Sequence, residues 1–151
     1  MTAYRTIVVG TDGSESSYKA VEKAATLAAD ADARLVLACA YYPTDDRDTA
    51  AAADVLKNDA YQIRGTAPTD DILRSAREKA KANGATDIVE RPLVGAPVDA
   101  LLDLTKAVEA DLLVIGNRGL NSLTGRLLGS VPSDAARKAK CDVLIVHTTH
   151  K

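Results

Sequence analysis

The segment Gly116-Asn117-Arg118-Gly119-Leu120-Asn121-Ser122-Leu123-Thr124-Gly125-Arg126-Leu127-Leu128-Gly129-Ser130 holds four of the nine glycines in the chain. Glycines let the main chain approach a ligand and turn successive N–H groups into one concavity, a setting for an anion and most often for phosphate. The segment runs into a helical pattern whose first turn holds Val131, Pro132 and Ser133. A helix start adds unpaired donors and a partial positive charge. From Gly116 to Lys140 there are Arg118, Arg126, Arg137, Lys138 and Lys140 against Asp134 alone, a local balance of +4. Ordinary turn chemistry and helix capping account for the same composition equally well. Neither standard phosphate motif is present: there is no Gly-x4-Gly-Lys-Ser/Thr, and Gly10-Thr11-Asp12-Gly13 is not Gly-x-Gly-x-x-Gly.

The elements that must position this segment alternate between strand and helix. Tyr4 to Gly10 is a β-branched run ending in glycine, the look of a buried strand, and Asp12-Gly13-Ser14 supplies a turn and a helix N-cap. Val21, Ala24, Ala25 and Ala28 recur at helical spacing between Ser17 and Asp30. A second strand spans Arg34 to Tyr41. The polar stretch Pro43 to Pro68 is long for a loop, so a short helix, or a lid, is expected within it. Thr69 to Asn83 reads as a second regular helix, with Asp70 and Asp71 in its first turn and Asn83-Gly84 as its stop. Asp87 to Val94 is strand three, and Pro92 assigns its far end to an edge. Pro97 opens a third helix carrying Val98, Leu101, Leu102 and Val108. Asp111 to Ile115 is strand four, Pro132 to Lys140 a fourth helix, and Cys141 to His147 strand five.

Five apolar strands separated by helices predict an α/β fold: one doubly wound, five-stranded parallel sheet with helices on both faces. The 151 residues make a single domain, 1–151, with no internal repeat. In such a sheet the ligand lies beyond the carboxyl ends of the strands, at a topological switch point. Those ends are Gly10-Thr11-Asp12, Ala40-Tyr41, Val94-Gly95, Ile115-Gly116 and His147.

Composition removes several classes. Lys and Arg number 19 against 21 Asp and Glu, a net charge of −2, which argues against a nucleic-acid partner. Trp and Phe are absent, so base stacking would rest on five Tyr. No apolar run approaches a membrane span, and Met1 to Arg5 does not begin a signal peptide. Cys39 and Cys141 each stand alone in an apolar segment, which suits buried thiols in a reducing, cytoplasmic setting. Two Cys and two His do not make a classical zinc cluster.

The spaced pattern Gly116-x2-Gly119-x9-Gly129-Ser130 resembles the Gly-x2-Gly-x9-Gly-Ser/Thr signature of the nucleotide-binding universal stress proteins. Val8-Val9-Gly10-Thr11-Asp12-Gly13-Ser14 and Val94-Gly95-Ala96-Pro97 support the resemblance, which extends over essentially the whole chain in the family's order of elements. It implies the Rossmann-like fold of that family. It also implies that Asp12 holds the ribose or a metal near the phosphates. The backbone at Gly10, Thr11, Ala40, Ile115 and Gly116 would wall the adenine and ribose, and Asn117 falls in the same binding set. Gly119, Gly129, Ser130 and Val131 would cradle phosphates. Arg118 would close over them or be solvated, and Arg126 is assigned to solvent.

The resemblance is to small single-domain bacterial members, some of which bind cyclic AMP as well as ATP. It rests on Gly10, on Glu90 to Leu101 and on Gly125 to Pro132. Cyclic AMP folds its phosphate against the ribose and needs room beside the sugar, which a glycine at position 10 leaves. Gly10 serves equally to relieve a strand-exit turn. ATP would bring magnesium.

The implied function is adenine-nucleotide binding, as a cytoplasmic regulator or nucleotide sink, and not an enzyme. Ser14, Ser16 and Ser17 sit where a helix N-terminus needs hydroxyls, and His147 reads as a strand-exit residue. Slow ATP hydrolysis is one alternative, with Asp12 the carboxylate at hand. A homodimeric interaction scaffold with a vestigial nucleotide site is another. A phosphorelay receiver would call for an acidic pair after strand one and an Asp after strand three, whereas this chain has Asp12 alone and Leu93-Val94-Gly95. Strand five, with Val143, Leu144, Ile145 and Val146, is apolar and expected at a sheet edge, where the family pairs it across a homodimer.

Overall fold

The run Thr6-Ile7-Val8-Val9-Gly10 forms strand β1 (Thr6–Gly10), and it is central because both of its edges are paired. The computed structural model of the chain describes residues 4–42, 66–117 and 130–148, with side chains at all of these but 66, 67 and 130–132. The short helix expected within 43–68, apart from its end from Thr66, and most of the glycine-rich segment lie outside the described residues.

Helix α1 (Glu15–Ala31) begins where Ser14 accepts the Ser17 N–H on its side chain. It ends at Asp32, whose left-handed backbone, φ 55°, lets the Ala33 N–H reach back to the Ala28 carbonyl at 2.8 Å. Strand β2 (Arg34–Tyr41), helix α2 (Thr66–Ala82), strand β3 (Ile88–Val94) and helix α3 (Pro97–Ala107) follow. Strand β4 (Leu112–Gly116), helix α4 (Ser130–Lys138) and strand β5 (Asp142–Val146) complete the order. All strands are parallel, in the order β3-β2-β1-β4-β5.

The two ends of the order carry the residues that suit an edge. Pro92 lies in β3 opposite Cys39 of β2, and only an edge strand has a side on which a missing N–H costs nothing. β5 forms the other edge, and its apolar run is only partly covered: Ile145 is 42% exposed. Helix α4 starts two residues before the expected Pro132. A proline in a first turn has no intrahelical acceptor to lose, so the helix begins directly after the last glycine of the motif.

Side chains along each strand alternate between two cores. Ile7, Val9, Leu35, Leu37, Leu112 and Val114 face α1 and α2, while Val8, Val36, Ala38, Leu113 and Ile115 face α3 and α4. With no Phe or Trp, the first core is closed by alanines: Ala20, Ala24, Ala25 and Ala28 of α1 and Ala76 and Ala80 of α2 are buried. Small side chains bring the helix axes close to the sheet, and such an interface has no slack for a larger residue. Ala24→Leu is therefore expected to cost about 1–3 kcal/mol, read as a lower urea midpoint at unchanged slope.

Candidate functional site

The neighbours β1 and β4 send their chains to opposite faces of the sheet. α1 packs in one core, and α4, through Ala135, packs in the other. Among the described residues no helix covers the gap between the two strand ends, which is the switch-point crevice of a doubly wound sheet. Gly10 lies beside Ala38 in register, and β1 pairs with β4 as far as Val9 opposite Val114. Alternation places Gly10, Ala38, Ala40 and Ile115 on the α3 and α4 face, so that wall of the crevice is lined mostly by small residues.

The turn from β1 into α1 is held by its own hydroxyls. Ser17 Oγ donates to the Ser14 carbonyl at 2.9 Å, so the Thr11 hydroxyl must donate to Ser17 Oγ at 2.7 Å. Thr11 Oγ1 then accepts the Gly13 N–H at 3.1 Å, and Ser17 Oγ accepts the Asp12 N–H at 3.3 Å. The Thr11 N–H is engaged by the Ala38 carbonyl at 2.9 Å. Thr11 is thus buried and faces the turn, leaving its backbone as its contribution to the wall. Gly13 has φ +86°, a conformation that favours glycine, and a Cβ there would also press on Ile72 Cγ1 at 3.0 Å. Asp12 Oδ1 accepts the Ser14 N–H at 3.0 Å, which fixes the carboxylate at the head of α1.

Behind Asp12 lies Cys39, whose thiol is pushed up to about 12 by burial, the Asp12 carboxylate adding to the shift. A thiol held in its neutral form is no nucleophile. Among the described residues no group of three or more His, Cys, Asp or Glu side chains could hold a metal ion.

At the other wall, β4 ends in Gly116, and a Cβ added there would meet Thr148 Cγ2 at 3.3 Å. Asn117 donates its N–H to the Val146 carbonyl at 2.8 Å, and its Oδ1 accepts both the N–H and the hydroxyl of Thr148, at 2.9 and 2.8 Å. Asn117 Nδ2 lies 3.4 Å from His147 Nδ1, and Ser16 Oγ hydrogen-bonds Thr148 Oγ1. The hydroxyls of Ser14, Ser16 and Ser17 are all engaged within the fold, and His147 faces an amide rather than a nucleophile.

Of the expected site residues, Gly10, Thr11, Asp12, Ala40, Ile115, Gly116 and Asn117 come together at the carboxyl edge of the sheet. Ser130 and Val131 open α4 there. Arg118, Gly119 and Gly129 lie outside the described residues. Three of the five basic residues in the local balance of +4 are described. Arg137 and Lys138 form the last turn of α4 and Lys140 precedes β5, so all three sit at the sheet's opposite edge, and Arg137 pairs with Asp134 at 2.7 Å. Thr148 was not among the residues the sequence singled out. Nothing in its local spacing marks it, because its partners lie 31 and 132 residues away.

The family model "Universal stress protein family" matches residues 3–147. A universal stress protein of Mycobacterium tuberculosis strain H37Rv is 56% identical over 149 residues, covering 99% of this chain and 100% of that protein. The crystal structure of a universal stress protein in complex with cyclic AMP is similar at 57% identity and TM-score 0.79, over 98% of this chain and 100% of that one. A universal stress protein from Archaeoglobus fulgidus, solved in complex with dAMP, shares the fold at 22% identity and TM-score 0.67, over 96% and 99% of the two chains.

Two outcomes follow from the hydroxyl network and the buried thiol. Thr11→Val leaves the half-buried Gly13 N–H without its acceptor and should cost about 1 kcal/mol in thermal unfolding, whereas Thr11→Ser should unfold close to wild type. Iodoacetamide at pH 8 should leave Cys39 unlabelled until the chain is unfolded. Because folding raises this thiol from 9.0 to about 12, its contribution to stability is complete below about pH 9 and is lost as pH rises toward 12.

Proposed function

Because this chain belongs to the universal stress protein family, we propose that it binds an adenine nucleotide, cyclic AMP or ATP, in the crevice between β1 and β4. The observation that carries this reading is the pair of adjacent strand ends, both finishing in glycine, whose helices leave to opposite faces. The cyclic AMP complex of the 57% identical protein supports the choice of ligand class. Adenine and ribose would lie against the backbone at Gly10, Thr11, Ala40, Ile115 and Gly116. Asp12 would take the ribose hydroxyls or, with ATP, a magnesium ion shared with the phosphates. The phosphates would meet the start of α4 at Ser130 and Val131 together with Gly119 and Gly129, where a helix N-terminus stabilises negative charge. The protein would act in the cytoplasm as a regulator or a nucleotide sink, holding its ligand rather than turning it over.

A second, compatible reading is a homodimer formed through β5. β5 is an edge strand with Ile145 exposed, and an unpaired apolar edge is a template for a second strand. Ile145→Asp is expected to shift the sedimenting species from dimer to monomer; a wild-type chain that already sediments as a monomer overturns the dimer.

Titration calorimetry of nucleotide-free protein with cyclic AMP, and separately with ATP and magnesium, tests the site. Heat from either ligand supports it, and none from both overturns it. Gly10→Thr should weaken cyclic AMP more than ATP, since a side chain there fills the space beside the sugar. Equal losses would assign Gly10 to the strand exit alone.

A further inference from the structure

We propose that Thr148, which lies beyond β5, is a positioning residue of the nucleotide site, acting through Asn117 and Gly116. The inference rests on the nucleotide reading of the crevice.

Asn117 is the residue at which the chain leaves β4 for the glycine-rich sequence. Both lone pairs of its side-chain carbonyl are filled by Thr148, from the N–H at 2.9 Å and from the hydroxyl at 2.8 Å. The N–H of Thr148 can only donate, so the oxygen of the Asn117 amide must face it and Nδ2 must face His147 Nδ1. The Thr148 hydroxyl proton is already directed at Asn117, so Ser16 Oγ must donate to Thr148 Oγ1. Lys19 Nζ donates to the Thr148 carbonyl at 3.4 Å.

One buried residue, 4% exposed, therefore ties together the end of β4, the first turns of α1 and the exit of β5. Gly116 completes the device, because the Thr148 methyl occupies the space where a side chain at 116 would stand. The first glycine of the motif thus receives Thr148 on the α1 side, while its backbone borders the crevice. Asn117, with its oxygen saturated, serves the ligand by fixing where the following chain begins.

The test compares Thr148→Val, which keeps the shape and the backbone N–H but removes the hydroxyl, with Thr148→Ser, which keeps the hydroxyl. Calorimetry with cyclic AMP and with adenosine separates the phosphate end from the base end. Thr148→Val is expected to weaken cyclic AMP about tenfold, the ~1.4 kcal/mol of roughly one hydrogen bond, and adenosine less than about twofold. Thr148→Ser, which keeps both hydrogen bonds to Asn117 and loses only the methyl beside Gly116, is expected to restore most of the cyclic AMP affinity. Amide exchange at Asn117, measured without ligand, should quicken in Thr148→Val while the amides of β1 and β2 stay protected. Unchanged cyclic AMP affinity, equal losses for both ligands, or exchange that quickens throughout the sheet would overturn the proposal while leaving the nucleotide site standing. Wild-type protein that binds neither cyclic AMP nor ATP overturns the nucleotide reading first and this proposal with it.

Discussion

Strand β1 is hydrogen-bonded to β2 on one side and β4 on the other, yet its onward helix and that of β4 lie on opposite faces of the sheet. Right-handed crossovers enforce this divergence once the strand order reverses at β1. Among the described residues the carboxyl ends of β1 and β4 therefore have no shared helix over them. Everything around the crevice answers that constraint: the chain must turn away twice, in opposite senses, without leaving buried polar groups unsatisfied.

The two turns meet it by the same means, with different reach. On the β1 side, Thr11, Ser14 and Ser17 satisfy the backbone of their own turn over a few residues. On the β4 side the partner comes from the end of the chain, as Thr148 crosses back to Asn117 and Ser16. The small residues of α1 belong to the same economy of space. Because Ala20, Ala24 and Ala28 let the helix sit close on the sheet, its first turns come within hydrogen-bonding distance of a residue that follows β5. Packing in the core and geometry at the crevice are in this sense one problem.

This division explains which parts of the molecule are legible in the sequence. Strands announce themselves through β-branched runs and helices through alanine spacing, so the element order, the edge position of Pro92 and the Ser14 cap all follow from local pattern. Charge is less transparent. Arg137, Lys138 and Lys140 are near the glycine-rich segment in sequence, but a helix of nine residues carries them to the far edge of the sheet. Linear proximity to a motif says little about electrostatics when a helix intervenes. Thr148 is the opposite case, remote in sequence and adjacent in space. Its hydrogen bonds depend on strand order, which no spacing rule encodes.

The side chains nearest the crevice are mostly absent or already engaged: Gly10 and Gly116 have none, Thr11 faces its own turn, and Asn117 faces Thr148. What this part of the site can present to a ligand is therefore mostly backbone and space, with the Asp12 carboxylate just before α1 and Glu15 in its first turn. A wall of that kind would meet a flat base and a sugar through shape and main-chain groups, which many nucleotides satisfy alike. Under the proposed reading, discrimination between nucleotides would come from volume, as at Gly10, and from how firmly Asn117 is held where the chain leaves β4. Under the same reading, Gly10 would set the room beside the sugar, while Thr148 would act from one layer back, through partners that are other parts of the protein.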